Sequence, residues 1–212
     1  MPSADNHLPL WVKLVYSAFM AVLVPVYWYY YGPTNFLYFC DVALLITLVG
    51  IWIESPLLIS MCAVGILAPQ MVWVVDFLGG LVGLKLLGMT DYMFDGGHSL
   101  FLRGLSLFHG WLPFFLVVLV WKLGYDQRAL AAWTGLAWML LLICFFFMPP
   151  PNPNAGLTPV NINYVWGMSD AAPQTLMPAP FWFVGLLVFV PVVLTWPVHA
   201  VLKRIMPKPY RA

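Results

Sequence analysis

Charge is what this sequence lacks most. Of 212 residues only 8% are Asp, Glu, Lys or Arg, about a third of the share in a soluble domain, so a water-facing surface around the whole molecule is excluded. The 9 basic and 8 acidic side chains nearly cancel to +1, which excludes the basic face of a nucleic-acid binder. Cysteine is scarce as well. Cys40, Cys62 and Cys144 lie in separate apolar segments with no metal-ligand spacing, so neither a disulfide framework nor a metal centre is expected. No internal repeat or low-complexity tract divides the chain, which reads as one domain over 1–212. A removable leader is not legible either, since the start offers a single Lys13 and no small-residue cleavage site; the N-terminus is expected to be retained.

Apolar residues fill the space that charge leaves, at 63% of the chain, and 17% are aromatic. A membrane span needs about 20 mostly apolar residues, and six segments qualify: 11–30, 36–53, 56–77, 104–123, 130–148 and 181–201. The expected fold is therefore all-α, a polytopic bundle of six transmembrane helices. Ser55 and Pro56 stand where a cap and a first helical residue belong. The stretch 78–100 is apolar but diluted by Gly79, Gly80, Gly83 and Gly88. It reads as an interfacial or re-entrant piece, with a seventh, broken span as the alternative. The only long polar connection is 149–180, opening on PPPNPN, where consecutive prolines favour a stiff, extended backbone.

Six spans divide the cations unevenly. Lys13, Lys122, Arg128, Lys203, Arg204, Lys208 and Arg211 share one side, and Lys85 and Arg103 the other. By the positive-inside rule both termini are expected in the cytoplasm and the 149–180 loop outside.

Polar groups inside apolar runs are costly and so mark candidate sites. At about 1.5 Å per residue, Cys40 lies roughly one turn below the outer rim, Asp41 just beneath it, and His109 about one and a half turns deep. Asn35, Gln70, Asp76, Asn163 and Tyr164 fall in the same half. One outward-opening polar cavity is expected there, with 160–166 folded over it as a lid. Pro113 has no N–H for the carbonyl of residue 109, so a kink is expected beside His109. Pro69 makes a similar break at Gln70.

A thiol becomes a nucleophile when a neighbouring base takes its proton. Cys40 with His109 supplies both, and Asp41, Gln70, Asp76 and Asn163 are all candidates to orient the imidazole. At this depth the electrophile at hand is a lipid ester, which points to acyl transfer or hydrolysis through a thioester. Membrane lipids are the expected partners, and no cofactor is called for.

The pattern Cys40-Asp41 early in the second span, Phe108-His109-Gly110 in a later one and Asn163-Tyr164 before the last resembles the YwaF-like family of bacterial integral membrane proteins. That family is similar to the transmembrane Cys-His acyltransferase and, more distantly, to the intramembrane Thr-His lipid hydrolases. The resemblance covers about residues 30–200. It implies a six-span bundle in a bacterial inner membrane, Cys40 as nucleophile and His109 as base. Tyr38-Phe39 depart from the family, which often carries a histidine just before the cysteine.

Other functions leave different marks. An accessory subunit or lipid-binding scaffold needs no reactive thiol and fits the apolar composition equally, with protein partners in the membrane. Bis-histidine haem ligation needs facing imidazoles at one depth; His7 and His199 lie away from His109, leaving only His98. A transporter lacks its usual repeat and its charged midplane. Reporters fused to either terminus should read cytoplasm, and one near Asn154 should read outside; termini on opposite sides would instead require the seventh span.

Overall fold

The structure is a computed structural model and describes residues 8–209. His7 and Arg211, counted above, lie outside the described residues. Among these residues every regular element is helical. In chain order they are α1 (Leu10–Tyr30), α2 (Phe39–Trp52), α3 (Pro56–Leu81), α4 (Leu100–Ser106), α5 (Phe108–Leu123), α6 (Ala129–Phe147), α7 (Ala179–Phe189) and α8 (Trp196–Ile205). α4 and α5 are joined through Leu107, and α7 and α8 through a π-helical stretch, Val190–Thr195. Six rods result. Five are long and apolar enough to cross a membrane, and α2 is apolar but only 14 residues long.

The centre is α3, which packs against α2, α5 and α6. Eight successive residues, Ile59 through Ile66, are buried on all sides, as expected of a helix apolar all round. Gly65 makes this possible: a Cβ there would fall 1.9 Å from Trp133 Cε2 of α6. Trp133 is itself fully buried, so the missing side chain is what lets α6 approach. The peripheral helices turn Trp11, Leu14, Val22, Phe114, Val118 and Phe181 outward, an apolar exterior suited to lipid rather than water.

The two ends of the bundle differ. At one end Lys13 pairs with Glu54 at 2.6 Å and Tyr125 hydrogen-bonds His199 Nδ1 at 2.7 Å. The Tyr125 N–H donates to Pro207 O and the Asp126 N–H to Ser60 Oγ. Lys122, Lys203, Arg204 and Lys208 lie exposed at this end, and it is called the basic end below. Arg128 bonds to Asp126 hold that carboxyl below the usual carboxylate range. The opposite, loop end carries residues 82–99 and 148–178.

Several boundaries differ from those expected, among them the start of the fourth rod, at Leu100 rather than 104, and the end of the last, at Ile205 rather than 201. α2 begins at Phe39 rather than Phe36, because Pro33–Leu37 forms a 3-10 turn and Tyr38 is extended at φ −62°, ψ 139°. α3 continues past Phe77 to Leu81, absorbing Gly79 and Gly80. The seventh candidate span therefore dissolves: 82–99 turns at Gly83 (φ +79°) and Gly88 (φ +76°) and contains one 3-10 turn, Asp91–Met93. The rod breaks at Leu107, six residues before Pro113, where Leu107 N reaches Gly104 O at 3.3 Å in a tightened turn, and not at His109, through which α5 runs unbroken. Pro113 itself sits inside α5.

Proline also explains the π stretch. Pro191 has no N–H for the Leu187 carbonyl, and Trp138 Nε1 of α6 donates there at 2.8 Å instead. Thr195 Oγ1 returns a bond to Pro191 O at 3.1 Å. A lipid environment demands such substitutes for lost backbone bonds.

Gly65→Ala should destabilise the purified protein by about 1–3 kcal/mol through overpacking, seen as a lower Tm in detergent. Gly135→Ala on α6, where a Cβ would meet nothing within 4 Å, should leave Tm unchanged or raise it slightly.

Candidate functional site

The first turn of α2 is built from three directions. Asn35, buried in the preceding 3-10 turn, donates from Nδ2 to Asp41 Oδ2 at 3.2 Å. The half-buried Cys40 directs its Sγ at the same oxygen, 3.8 Å away. An acidic residue in a helix's first turn is favoured by the partial positive charge of the backbone there. Asp41 is 4% exposed, and its other oxygen, Oδ1, is buried with no partner among the described residues.

The third direction is the 148–178 loop. Asn163 Oδ1 accepts the Phe39 N–H at 3.1 Å, and its Nδ2 donates to Leu37 O at 2.9 Å and to Cys144 Sγ at 3.5 Å. The loop thus caps α2 immediately before Cys40, a service that Tyr38 does not provide. Val160, Asn161, Ile162, Asn163 and Val165 are all buried, so the expected lid is seated against the bundle. Its backbone is held in an uncommon shape: Asn161, Asn163 and Tyr164 have φ of 50°, 59° and 61°. Asparagine accepts the left-handed region more readily than most residues, whereas for a bulky residue such as Tyr164 it is strained.

Surrounding bonds hold that shape in place. Asn161 Nδ2 donates to Gly167 O and Ser169 O, its Oδ1 accepts from Trp166 N, and Trp182 Nε1 donates to Tyr164 O at 3.0 Å. Asp170 in the same loop is raised above the usual carboxylate range by burial, partly offset by its bond from Asn161.

His109 belongs to a separate constellation. Its Nδ1 lies 2.9 Å from Gln70 Nε2 and 3.1 Å from Gln70 Oε1, and its ring stacks on Trp73 and Phe108 at 5.1 and 4.0 Å between centroids. Of the candidates to orient the imidazole, Gln70 is the one that reaches it. The structure places no hydrogen bond between Cys40 and His109 among the described residues: the sulfur is directed at Asp41 and the Nδ1 at Gln70.

Asp76 is spent elsewhere. Its Oδ1 accepts the N–H groups of Leu87 and Gly88 at 2.7 and 3.2 Å, and its Oδ2 accepts Thr90 N and Oγ1 at 2.9 and 2.8 Å. It is the staple that folds the glycine-rich return onto the end of α3. His98 is likewise engaged, through Nδ1 to Asp95 Oδ1 at 3.2 Å; that bond holds Asp95 below its ordinary range.

Three participants escape a reading of the sequence. Cys144 reads as an inert core thiol yet receives the Asn163 amide. Tyr27 and Ser106 form a buried hydrogen bond of 2.9 Å between α1 and α4. Ser106 precedes His109 by three residues, a spacing that would place both on one side of an unbroken helix and was the available signal, although the break at Leu107 lies between them. No protein-family model matches the chain, and no match is found among curated proteins or solved structures.

Asn163→Ala should remove the cap, the tether to Leu37 and the preference for positive φ together, costing about 1–3 kcal/mol. Hydrogen exchange should accelerate at 160–166 and at the Phe39 amide while α3 stays protected. Asn163→Gly, which keeps the backbone shape but not the bonds, should fall between wild type and Asn163→Ala.

Proposed function

We propose that the chain is an intramembrane acyl-transfer enzyme, a lipid acyltransferase or hydrolase, with Cys40 as its nucleophile. One observation carries the reading: a half-buried thiol directed at a buried carboxylate, Cys40 Sγ to Asp41 Oδ2 at 3.8 Å, in the first turn of a helix beneath a docked loop. Helix N-termini favour a developing thiolate. The S–H proton passes to Asp41, sulfur bonds to the carbonyl carbon of a lipid ester, and the ester C–O bond breaks. The departing alkoxide takes the proton back from Asp41. Water or an alcohol then cleaves the thioester and restores the thiol. In this reading Asp41 is the proton acceptor, a role first expected of His109. The placement proposed is a bacterial inner membrane, with the basic end cytoplasmic and the loop end at the outer leaflet, as the lysine and arginine distribution and the YwaF-like resemblance suggest.

A non-enzymatic, lipid-binding role is favoured by a different observation. His109, tied to Gln70 and stacked on two aromatic rings, is arranged as a polar tether between α3 and α5, a use that membrane helices make of histidine.

Reactivity separates the two. Cys62 and Cys144 are fully buried, so in the enzymatic reading a lipid-like acylating probe labels Cys40 far faster than either. Cys40→Ala should abolish acyl turnover, and Asp41→Asn should lower it by about 10²–10⁴-fold without unfolding. If His109→Ala abolishes turnover while Asp41→Asn spares it, His109 is the base. Equal, slow labelling of all three thiols leaves the tether and the scaffold role.

A further inference from the structure

A carboxyl buried inside an apolar bundle takes either a proton or a cation, and the described residues supply Asp41 with no ion pair. Asp41 is 4% exposed, yet none of the ion pairs among the described residues includes it. At the loop end Lys85 is turned to Asp91, Arg103 donates from Nη1 to the Met93 carbonyl while its Nε is buried without a partner among the described residues, and His98 is bonded to Asp95. Asn35 and Cys40 both address Oδ2, which fixes the carboxylate's orientation and leaves Oδ1 buried and unmatched. An uncompensated buried charge is strongly unfavourable, and a cation with good geometry offsets it.

The first turn of α2 sits at the loop end of the bundle, where lipid headgroups lie if the helices cross a bilayer.

We propose that Asp41 Oδ1 receives the ammonium group of a primary amine, and that this amine is the acyl acceptor for the thioester on Cys40. The proposal rests on the acyl-transfer reading above. Asp41 serves both halves of the reaction, since it returns to the carboxylate form when the first alcohol leaves. In the second half the ammonium gives one proton to Asp41, and the neutral amine nitrogen bonds to the thioester carbon. The C–S bond breaks, and the thiolate takes the second nitrogen proton. The products are an amide and the restored Cys40 thiol; Asp41 releases its proton to solvent. The amine is carried either by a lipid headgroup of the ethanolamine kind or by a small soluble amine.

The experiment uses the full chain in vesicles of phosphatidylcholine, an acyl donor without a primary amine, mixed with phosphatidylethanolamine or with phosphatidylglycerol. Mass spectrometry should find N-acylated phosphatidylethanolamine with wild type and none with Cys40→Ala. Free ethanolamine added to phosphatidylcholine vesicles separates the sources: N-acylethanolamine formed there at the same rate makes the soluble amine the acceptor. Equal transfer to the glycerol headgroup, or to water alone, overturns the amine acceptor.

Binding is read apart from chemistry, in Cys40→Ala nanodiscs of mixed lipid. Retention of phosphatidylethanolamine over phosphatidylcholine should fall about tenfold in the Cys40→Ala, Asp41→Asn double variant, the loss expected for one charge-assisted bond. Should that variant misfold, competition in Cys40→Ala decides, because ethanolamine should displace the retained lipid and ethylene glycol should not. Undiminished retention, or equal displacement by the diol, overturns the ammonium site. Asp41-dependent retention without any acyl product overturns the acyl-transfer reading and leaves the site standing.

Discussion

A helix whose first turn is covered by the chain's own loop must have its first N–H groups met by protein. α2 faces this problem at Phe39, and the solution comes from a residue 124 positions away, Asn163. Much of the loop end follows from that bond. The 148–178 segment must run back over the bundle, Asn163 and Tyr164 must adopt left-handed backbone to deliver the side chain, and Asn161 must tie the loop's return through Gly167, Ser169 and Trp166. Cys40 and Asp41 are positioned as a by-product, since they are the next residues of the helix so capped.

The same constraint separates the polar residues into closed groups. Asp76 is saturated by Leu87, Gly88 and Thr90, and His109 is held by Gln70. Each is at or near the end of a helix broken or terminated by proline or glycine, where backbone and side chain need partners most. Among the buried acids of the described residues Asp41 is the exception, with one oxygen met and the other not. In a bundle that otherwise satisfies its buried acids, that asymmetry singles out the first turn of α2 as the place where something external is accommodated.

Composition and period made most of the bundle legible. Uninterrupted apolar runs announced the rods, and Ser55-Pro56 marked the start of α3, where Ser55 Oγ indeed accepts the Leu58 N–H. Boundaries were less legible wherever a distant residue sets them. Nothing local to Phe36 tells that α2 starts three residues later, because the deciding partner is Asn163. The glycine-rich stretch 78–100 stayed ambiguous for the same reason: Asp76 reads as a rim residue of a cavity until its four bonds to the returning chain are seen. Depth arithmetic put Cys40 and His109 in the same half, but depth says nothing of which side of a helix a residue occupies. The two side chains bond to different neighbours.

Proline is the thread that joins fold to site. Each of Pro25, Pro69, Pro113 and Pro191 deprives a carbonyl one turn earlier of its usual N–H. At Pro191 the chain answers with a side chain from a neighbouring helix, Trp138, and the rod continues through a π turn. Between α4 and α5 the rod breaks at Leu107, which separates Ser106 and its bond to Tyr27 from His109 and its bond to Gln70. A continuous helix would rotate these two polar residues as one body; the break lets α4 lean on α1 while α5 stays packed on α3.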